Sequence, residues 1–281
     1  MLRSTYNYDA LIFDMDGVLI DTTFSYPMVI RVAIQWCWRR LLGRNIDCTA
    51  FSYDHFYISK THPALNDDYD IAWALLTIAA SKNSKSLKKS FPATEQWKEI
   101  LGGIQGDDIA SWIYANFKRS VPRDIVRQLC EEIYFGRDEY IAIKGKSPIY
   151  YNGKGLWRRE KPLIGKHWRE LHLPVCIFTG RPWMECLLGL RLLGWEDMPR
   201  ERIFTLDDGM PKPSPEGLIV LSTKVNASNP IIFGDTKSDL EAARRFGKGK
   251  FVHIGINKLP DESTTSFRDV KSALRELGLT R

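Results

Sequence analysis

The chain has 281 residues, of which 44% are hydrophobic and 26% are charged. This length suits about two domains with sizeable cores, and the charged fraction argues against an intrinsically disordered chain. The formal net charge of +6 predicts a surface that attracts anions, although a phosphate ester, a nucleic acid or an acidic lipid surface would each satisfy that charge.

Neither the cysteines nor the apolar runs indicate a secreted or membrane protein. The five cysteines are odd in number and include no Cys-x-x-Cys pair, which argues against a disulfide scaffold or a zinc site. No run of about 18 apolar residues is present, and the polar N-terminus lacks an apolar signal region. We therefore expect a cytoplasmic chain with reduced thiols and no membrane partner.

The predicted elements begin with a short apolar strand over residues 10–13. A mainly helical stretch follows, with apolar residues at helical spacing over residues 27–42, 70–80, 107–117 and 122–135. The lysine-rich segment 81–90 is predicted to be a mobile loop between two of these helices. An insert of this length after a strand predicts a second, helical domain.

Strands and helices alternate from residue 162 onward. Strands are predicted over residues 174–178, 203–205, 230–233 and 251–254, and helices over residues 163–171, 182–193, 238–246, from 215 and from 267. Short apolar runs of this kind predict parallel strands buried on both faces, in an open Rossmann-like α/β sheet. The predicted catalytic core is residues 1–21 and 156–281, and the predicted helical cap domain is residues 22–155.

Two carboxylates follow the first strand, in the turn Phe13-Asp14-Met15-Asp16-Gly17. Ligands bind beyond the carboxyl ends of the strands in such sheets. Two like charges this close need a cation, or one of them must bind a proton, and a hard divalent ion with oxygen ligands meets that need. A polar strand end and a calcium loop are the alternatives, but a calcium loop would need more oxygen ligands downstream. Asp14 and Asp16 are therefore candidate metal-site residues.

The turn after the strand over residues 174–178 reads Thr179-Gly180-Arg181. A hydroxyl beside a glycine lets the side chain and backbone N–H groups bind a phosphoryl oxygen, although an ordinary helix cap is the alternative. Arg181 could bind a phosphate or carboxylate of the substrate, or lie at the rim of the site.

Lys212 lies in a loop stiffened by Pro213 and Pro215. A fixed ammonium there could neutralise a nucleophile and a phosphate together, whereas an ordinary lysine would be solvated. Asp235 and Asp239 follow the strand over residues 230–233. Asp235 could bind the metal directly, while Asp239 could bind it through water or orient its neighbours, and either could instead cap a helix.

Four segments of the sequence resemble, in order and separation, the four motifs of the haloacid dehalogenase superfamily of phosphohydrolases. They are Asp14-x-Asp16-Gly17-Val18, Thr179-Gly180, Lys212-Pro213, and Gly234-Asp235 with Asp239. The helical insert after the first motif is similar to the helical cap of phosphoglycolate-phosphatase-like members. The turn Thr179-Gly180-Arg181-Pro182 departs from the Ser/Thr-Asn turn common among close cap-bearing relatives, which leaves the substrate open.

The resemblance implies a Mg²⁺-dependent phosphatase that acts on a small phosphate monoester, with nucleic acid disfavoured as a partner. Asp14 would form an aspartyl-phosphate, and Asp16 would act as general acid and then general base. Thr179 would hold the phosphoryl group with nearby N–H groups, and Lys212 would offset negative charge. The magnesium would be held by the Asp14 carboxylate, the Asp16 backbone carbonyl and Asp235, with Asp239 as the fourth acid of the site.

Two other chemistries and one binding function are alternatives. A sugar-phosphate phosphomutase of the same superfamily usually carries a histidine shortly after the first motif, and residues 22–36 contain none. A dehalogenase is disfavoured by Asp16. The aromatic content of 12% and the lysine-rich segment would suit a non-catalytic relative that binds anions or nucleic acid, but every catalytic position is present.

A basic segment over residues 144–161 is the predicted return from the cap to the core. Arg158 and Arg159 in this segment are candidate substrate-binding residues that could recognise a second anionic group, together with Gly180 and Arg181 at the second motif. A solvated basic loop is the alternative for Arg158 and Arg159.

Overall fold

The computed structural model describes residues 8–65, 67–104, 106, 108–117, 121–256 and 264–280. The chain divides into two compact units. The first, which we call the core unit, comprises Met1–Thr22 and Glu160–Arg281. The second, which we call the helical unit, comprises Thr23–Arg159. In this division Arg158 and Arg159 belong to the helical unit.

All the strands that the structure describes lie in the core unit. They are β1 (Leu11–Phe13), β2 (Ile20–Asp21), β3 (Lys161–Pro162), β4 (Val175–Phe178), β5 (Ile203–Phe204), β6 (Ile231–Gly234), β7 (Lys250–Ile254) and β8 (Thr265–Phe267). Six of them form a parallel sheet in the order β5-β4-β1-β6-β7-β8, and β2 pairs with β3 in an antiparallel ribbon. Strand β1 therefore lies between β4 and β6, with Leu11 in register with Val175 and Ile231.

Both faces of the parallel sheet are covered. Leu11 and Phe13 belong to one buried apolar cluster, whereas Ile12 belongs to another, because successive side chains of a strand point to opposite faces. The central strands β1, β4 and β6 are completely buried. The predicted open parallel α/β sheet is confirmed, and the pattern of short apolar runs is its sequence signature.

The helical unit contains seven α-helices among its described residues: α1 (Tyr26–Trp36), α2 (Tyr53–Lys60), α3 (Asp68–Ser81), α4 (Leu87–Ser90), α5 (Thr94–Gly102), α6 (Ile109–Asn116) and α7 (Arg123–Lys144). A π-helical turn, Cys37–Leu41, extends α1. Helices α1, α3 and α7 pack against one another, and α3 is buried almost all round, as its apolar sequence requires.

The predicted loop over residues 81–90 is wrong in its second half. The Ser86 hydroxyl accepts a hydrogen bond from the Lys89 backbone N–H at 3.1 Å and caps helix α4. Asp47 also accepts a hydrogen bond from the Lys88 N–H at 3.0 Å. These local caps offset the low apolar content of the segment. The other predicted helices of this unit are confirmed, although residue 107 lies outside the described residues.

The core unit carries four α-helices in its described part: α8 (Trp183–Leu193), α9 (Glu216–Lys224), α10 (Lys237–Phe246) and α11 (Val270–Glu276). The predicted helix over residues 163–171 is wrong, because only Trp168–Glu170 forms a short 3₁₀ turn. Instead, the Leu163 N–H donates to the Leu19 carbonyl at 2.8 Å, beside the β2–β3 ribbon. Strand β8 was not predicted, since this edge strand is only partly buried and has no apolar run.

All five cysteines are free thiols. Within the described ranges, none of the helices combines the length and the apolar character that crossing a membrane requires.

Helix α7 is interrupted at Gly136, whose φ of 72° and ψ of 170° break the helical geometry. The Arg137 N–H donates to the Gly153 carbonyl at 3.0 Å, which brings the segment after the helix against the break. A Cβ atom on Gly136 would lie 2.1 Å from the backbone nitrogen of Gly155. Glycine is therefore required here both for its backbone conformation and for the close approach of a second backbone.

We expect Gly136→Ala to lower the free energy of unfolding by about 3 kcal/mol, because φ 72° with ψ 170° is a backbone conformation that essentially only glycine adopts and because the added Cβ atom clashes with the backbone of Gly155. Gly145→Ala is the matched control, since Gly145 has φ 66° at the end of the same helix and no heavy atom within 4 Å of its ideal Cβ. That variant should lose only about 1 kcal/mol. Urea unfolding measures both, and equal losses would show that neither the glycine-only backbone conformation of Gly136 nor its contact with Gly155 is the constraint.

Candidate functional site

Three predicted site residues directly follow neighbouring strands of the parallel sheet. Asp14 follows β1, Thr179 follows β4 and Asp235 follows β6. The Asp14 N–H donates to the Phe233 carbonyl at 2.8 Å, so the pairing of β1 with β6 continues to the first residue of the site. Because the strands are parallel and adjacent, their carboxyl ends bring these residues to one edge of the sheet.

The turn after β1 is closed by its own backbone. The Gly17 N–H donates to the Ile20 carbonyl at 2.8 Å, and the Ile20 N–H donates to the Met15 carbonyl at 2.9 Å. Gly17 has φ 71°, and a Cβ atom on it would lie 2.1 Å from Asp235 Oδ2. Glycine therefore allows the turn after β1 and the turn after β6 to approach each other.

Lys212 bridges two carboxylates of the site. Its Nζ lies 2.7 Å from Asp14 Oδ1 and 2.6 Å from Asp239 Oδ1, and the side chains of Lys212 and Asp14 are each only 10% exposed. The ammonium also lies 5.0 Å from the centre of the Phe178 ring. The alternative of a solvated surface lysine is therefore wrong, and the ammonium is held against Asp14.

Asp14, Asp235 and Asp239 each offer a carboxylate oxygen, and these oxygens lie within 4.8 Å of one another. Asp239 Oδ2 accepts hydrogen bonds from the backbone N–H and the hydroxyl of Thr236, at 3.0 and 2.5 Å, and Thr236 is the N-cap of α10. Asp235 Oδ1, in contrast, is buried and has no hydrogen-bond partner among the residues described. A buried, unpaired carboxylate oxygen is the kind of group that a cation satisfies.

The crowding of acids changes the proton affinities of the cluster. Burial, which Lys212 opposes and the carboxylates of Asp239 and Asp16 reinforce, raises the pKa of Asp14 from its ordinary value of 3.8 to about 7. Burial and the Asp14 carboxylate raise the pKa of Asp235 well above its ordinary value. Burial disfavours the charged form of Lys212, but Asp14 and Asp239 outweigh it and raise the pKa of the ammonium. Lys212 therefore stays charged.

Asp16 points to a different partner. Arg181 Nε lies 2.7 Å from Asp16 Oδ1, and Arg181 Nη2 lies 2.6 Å from the same oxygen. Nη2 also lies 2.9 Å from Glu160 Oε2. The Arg181 side chain is 1% exposed, so its predicted alternative position at an exposed rim is wrong. Direct contact between Arg181 and a substrate stays a prediction.

The remaining predicted residues differ in burial: Thr179 is buried, whereas Gly180, Arg158 and Arg159 are exposed. The Thr179 hydroxyl accepts a hydrogen bond from the Arg181 backbone N–H at 3.1 Å, and Gly180 is exposed with open space around its ideal Cβ. Arg158 lies over the Trp157 ring at 4.5 Å, within the helical unit, and Arg159 is exposed beside it. The substrate-binding role of Gly180, Arg158 and Arg159 stays a prediction.

Sequence reasoning missed Glu160 as part of the site. It is a single acid at the end of a basic run, and nothing in its spacing links it to Asp16 or Arg181. Its side chain is nevertheless completely buried against Arg181. The signal that could have found it is the need of a buried arginine for a buried carboxylate.

Comparisons with known proteins extend over most of the chain. The sequence model of the haloacid dehalogenase-like hydrolases matches residues 8–247. A curated relative, an imidazoleglycerol-phosphate dehydratase from Phytophthora nicotianae, is 27% identical over 245 residues, which are 85% of this chain and 41% of that protein. The chain therefore spans less than half the length of this relative.

Two solved structures share the fold. Phosphatase Tt82 from Thermococcus thioreducens has a TM-score of 0.66 and 22% identity, over 96% of this chain and 97% of that one. A hydrolase of the same family from Deinococcus radiodurans R1, described with bound phosphate and sodium, has a TM-score of 0.51 and 14% identity, over 97% of both chains. With the family match over residues 8–247 and this parallel sheet, the chain belongs to the haloacid dehalogenase-like hydrolases.

Proposed function

We propose that the chain is a magnesium-dependent phosphatase that hydrolyses a small phosphate monoester through an aspartyl-phosphate on Asp14. The observation that carries this proposal is the buried ammonium of Lys212, 2.7 Å from the Asp14 carboxylate at the carboxyl edge of the sheet. An acid held beside a fixed cation can receive an anionic phosphoryl group. The phosphatase from T. thioreducens and the phosphate described with the D. radiodurans relative support this choice of chemistry.

The acidic cluster fits a hard divalent cation such as Mg²⁺. Three acids with oxygens within 4.8 Å face one ammonium, and Asp235 Oδ1 is buried without a partner among the described residues. The Asp14 and Asp235 carboxylates and the Asp16 backbone carbonyl would hold the ion, which would offset the charge of the phosphoryl group and polarise it. Asp239 contacts Lys212 and Thr236, which favours an orienting role for it.

In the first step, a carboxylate oxygen of Asp14 attacks phosphorus in line with the ester oxygen that leaves. The new bond joins Asp14 to phosphorus, and the phosphorus–ester oxygen bond breaks. Asp16 donates a proton to the departing oxygen, so the product is an alcohol. Lys212 and the N–H groups around Thr179 hold the charge on the phosphoryl oxygens during this transfer.

In the second step, water attacks the phosphorus of the aspartyl-phosphate. Asp16, now ionised, accepts the proton of that water, and the bond between phosphorus and Asp14 breaks. Inorganic phosphate leaves and the Asp14 carboxylate is restored. One group therefore serves as acid and then as base, which requires the Asp16 side chain to stay in one place through both steps.

The proposed chemistry does not by itself identify the group that receives the phosphoryl group or the substrate. A phosphomutase would use the same aspartyl-phosphate and return the phosphoryl group to a sugar, so it remains the alternative function. The name of the longer dehydratase from P. nicotianae gives no second candidate, because the chain spans 41% of that protein and shares the hydrolase family match. A small phosphorylated metabolite and a cytoplasmic location stay predictions.

We expect the purified chain to release phosphate from p-nitrophenyl phosphate with Mg²⁺ and to lose that activity on exhaustive chelation. Asp14→Asn should lower kcat by at least about 10³-fold, because the amide cannot act as the anionic nucleophile. Asp197→Asn is the matched control, an acid of the same unit that contacts His167 and Trp168. Comparable release by Asp14→Asn, with reversion to aspartate excluded by mass spectrometry, would reject Asp14 as nucleophile.

Metal binding should stabilise the chain more strongly at higher pH. With a folded-state pKa of about 7 against an ordinary 3.8, Asp14 holds a proton in the folded but not the unfolded chain between these values. The metal-free chain should therefore lose stability as pH rises from about 4 to about 7. Mg²⁺ must displace that proton at low pH but not at high pH.

The rise in Tm caused by Mg²⁺ should accordingly be larger at about pH 8 than at about pH 5.5. Asp235→Asn should raise the Tm of the metal-free chain, because folding then no longer buries an acid among the other carboxylates, and should abolish the Mg²⁺-dependent rise. A Tm rise that is independent of pH, or that survives in Asp235→Asn, would contradict this site.

A further inference from the structure

Arg181 lies between two carboxylates, Glu160 and Asp16, that differ in their exposure to solvent. Glu160, at one end of the chain of charges, has a completely buried side chain, and Arg181 in the middle is 1% exposed. Asp16, at the other end, is 36% exposed. Of these three charged side chains, Asp16 is the one with substantial exposure to solvent.

A buried ion pair of this kind costs desolvation free energy, and well-packed apolar residues of similar volume are often at least as stable. Here Glu160 offsets the charge of Arg181, so the pair presents directed N–H donors to Asp16 with no net charge of its own. Both Nε and Nη2 point at the same Asp16 oxygen, at 2.7 and 2.6 Å. Two donors from one planar group fix the position of that oxygen as a single ammonium could not.

The guanidinium is itself held in place by its surroundings. Its Nη1 donates to the Glu185 carbonyl at 3.3 Å in the first turn of α8. One turn further along α8, the lack of a side chain at Gly189 leaves space for the guanidinium. A Cβ atom at Gly189 would lie 3.3 Å from Arg181 Nη1 and 2.5 Å from the sulfur of Met15. The arginine follows Thr179 and Gly180 directly, so the turn that is expected to bind phosphate also aims the guanidinium.

We propose that Arg181 is a positioning residue for the acid–base group Asp16, and that Glu160 is its buried anchor. Arg181 touches neither substrate nor nucleophile in this role. It holds one Asp16 oxygen so that the carboxyl group stays within reach of the leaving oxygen and then of the attacking water. This inference rests on the proposed phosphatase function.

The dependence of the reaction rate on the leaving group distinguishes a positioning role of Arg181 from a general structural role. An aryl phosphate with a good leaving group, such as p-nitrophenyl phosphate, needs little protonation, whereas unsubstituted phenyl phosphate needs more. The value of kcat/KM contains only the steps up to departure of the leaving group. It should therefore be measured along a series of ring-substituted phenyl phosphates with Mg²⁺ present.

For Arg181→Lys we expect kcat/KM for phenyl phosphate to fall at least about 10-fold more than for p-nitrophenyl phosphate, because a displaced acid slows only the reaction that needs it. Asp16→Asn is the reference and should show the same or a steeper dependence on the leaving group. In Arg181→Lys, kcat for p-nitrophenyl phosphate should also fall, since hydrolysis of the aspartyl-phosphate needs Asp16 as base.

Glu160→Gln keeps the shape of the anchor and removes its charge, and should change the leaving-group dependence in the same direction by a smaller factor. Arg191→Lys is the matched control on α8, where the exposed Arg191 lies 3.8 Å from Glu196, and should leave the whole series unchanged. Circular dichroism and Tm establish that each variant is folded.

Equal losses along the series in folded Arg181→Lys and Glu160→Gln, alongside a steeper series in Asp16→Asn, would overturn the positioning role. Failure of the proposed function gives a different result. In that case the wild-type chain releases phosphate from none of the esters, or Asp16→Asn changes no leaving-group dependence.

Discussion

The main physical constraint on the core unit is that three clustered carboxylates must be stabilised close to one ammonium group. Asp14, Asp235 and Asp239 meet at the carboxyl edge of the sheet, and Lys212 is the cation that the structure shows in direct contact with two of them. Burial of like charges is strongly unfavourable unless cations and hydrogen bonds offset it. Strand order, the Thr236 cap and the missing side chain at position 17 all serve to bring these acids together despite their repulsion.

The parallel sheet was predictable because burial on both faces leaves a local signature in the sequence. Short apolar runs such as Ile231–Gly234 end in polar turns, and adjacency of the strands then brings separated motifs to one edge. The partner of Arg181 was not predictable, because Glu160 lies 21 residues away with no periodic pattern between them. The same reason explains the missed edge strand β8, which depends on pairing with β7 rather than on its own apolar content.

The point at which the chain returns to the core unit also contributes a residue, Glu160, to the candidate site. The chain passes from the core unit to the helical unit after Thr22 and returns at Glu160. The β2–β3 ribbon pairs Asp21 with Lys161 beside these two crossings, and Glu160 bonds Arg181 in the buried pair. In the proposed mechanism, the group that protonates the leaving oxygen is thus anchored to the first residue of the returning chain, which accounts for a buried charge at that position.

In the proposed mechanism, Asp14 becomes phosphorylated during turnover. The most direct measurement uses the Asp16→Asn variant, in which hydrolysis of the intermediate should be slow, mixed with p-nitrophenyl phosphate and Mg²⁺ and quenched in acid. Borohydride reduction converts an aspartyl-phosphate to homoserine, which peptide mass spectrometry locates. We expect homoserine at position 14, dependent on substrate and absent after chelation. A burst of p-nitrophenol with Asp14 unmodified, or with the modification at another residue, would contradict it.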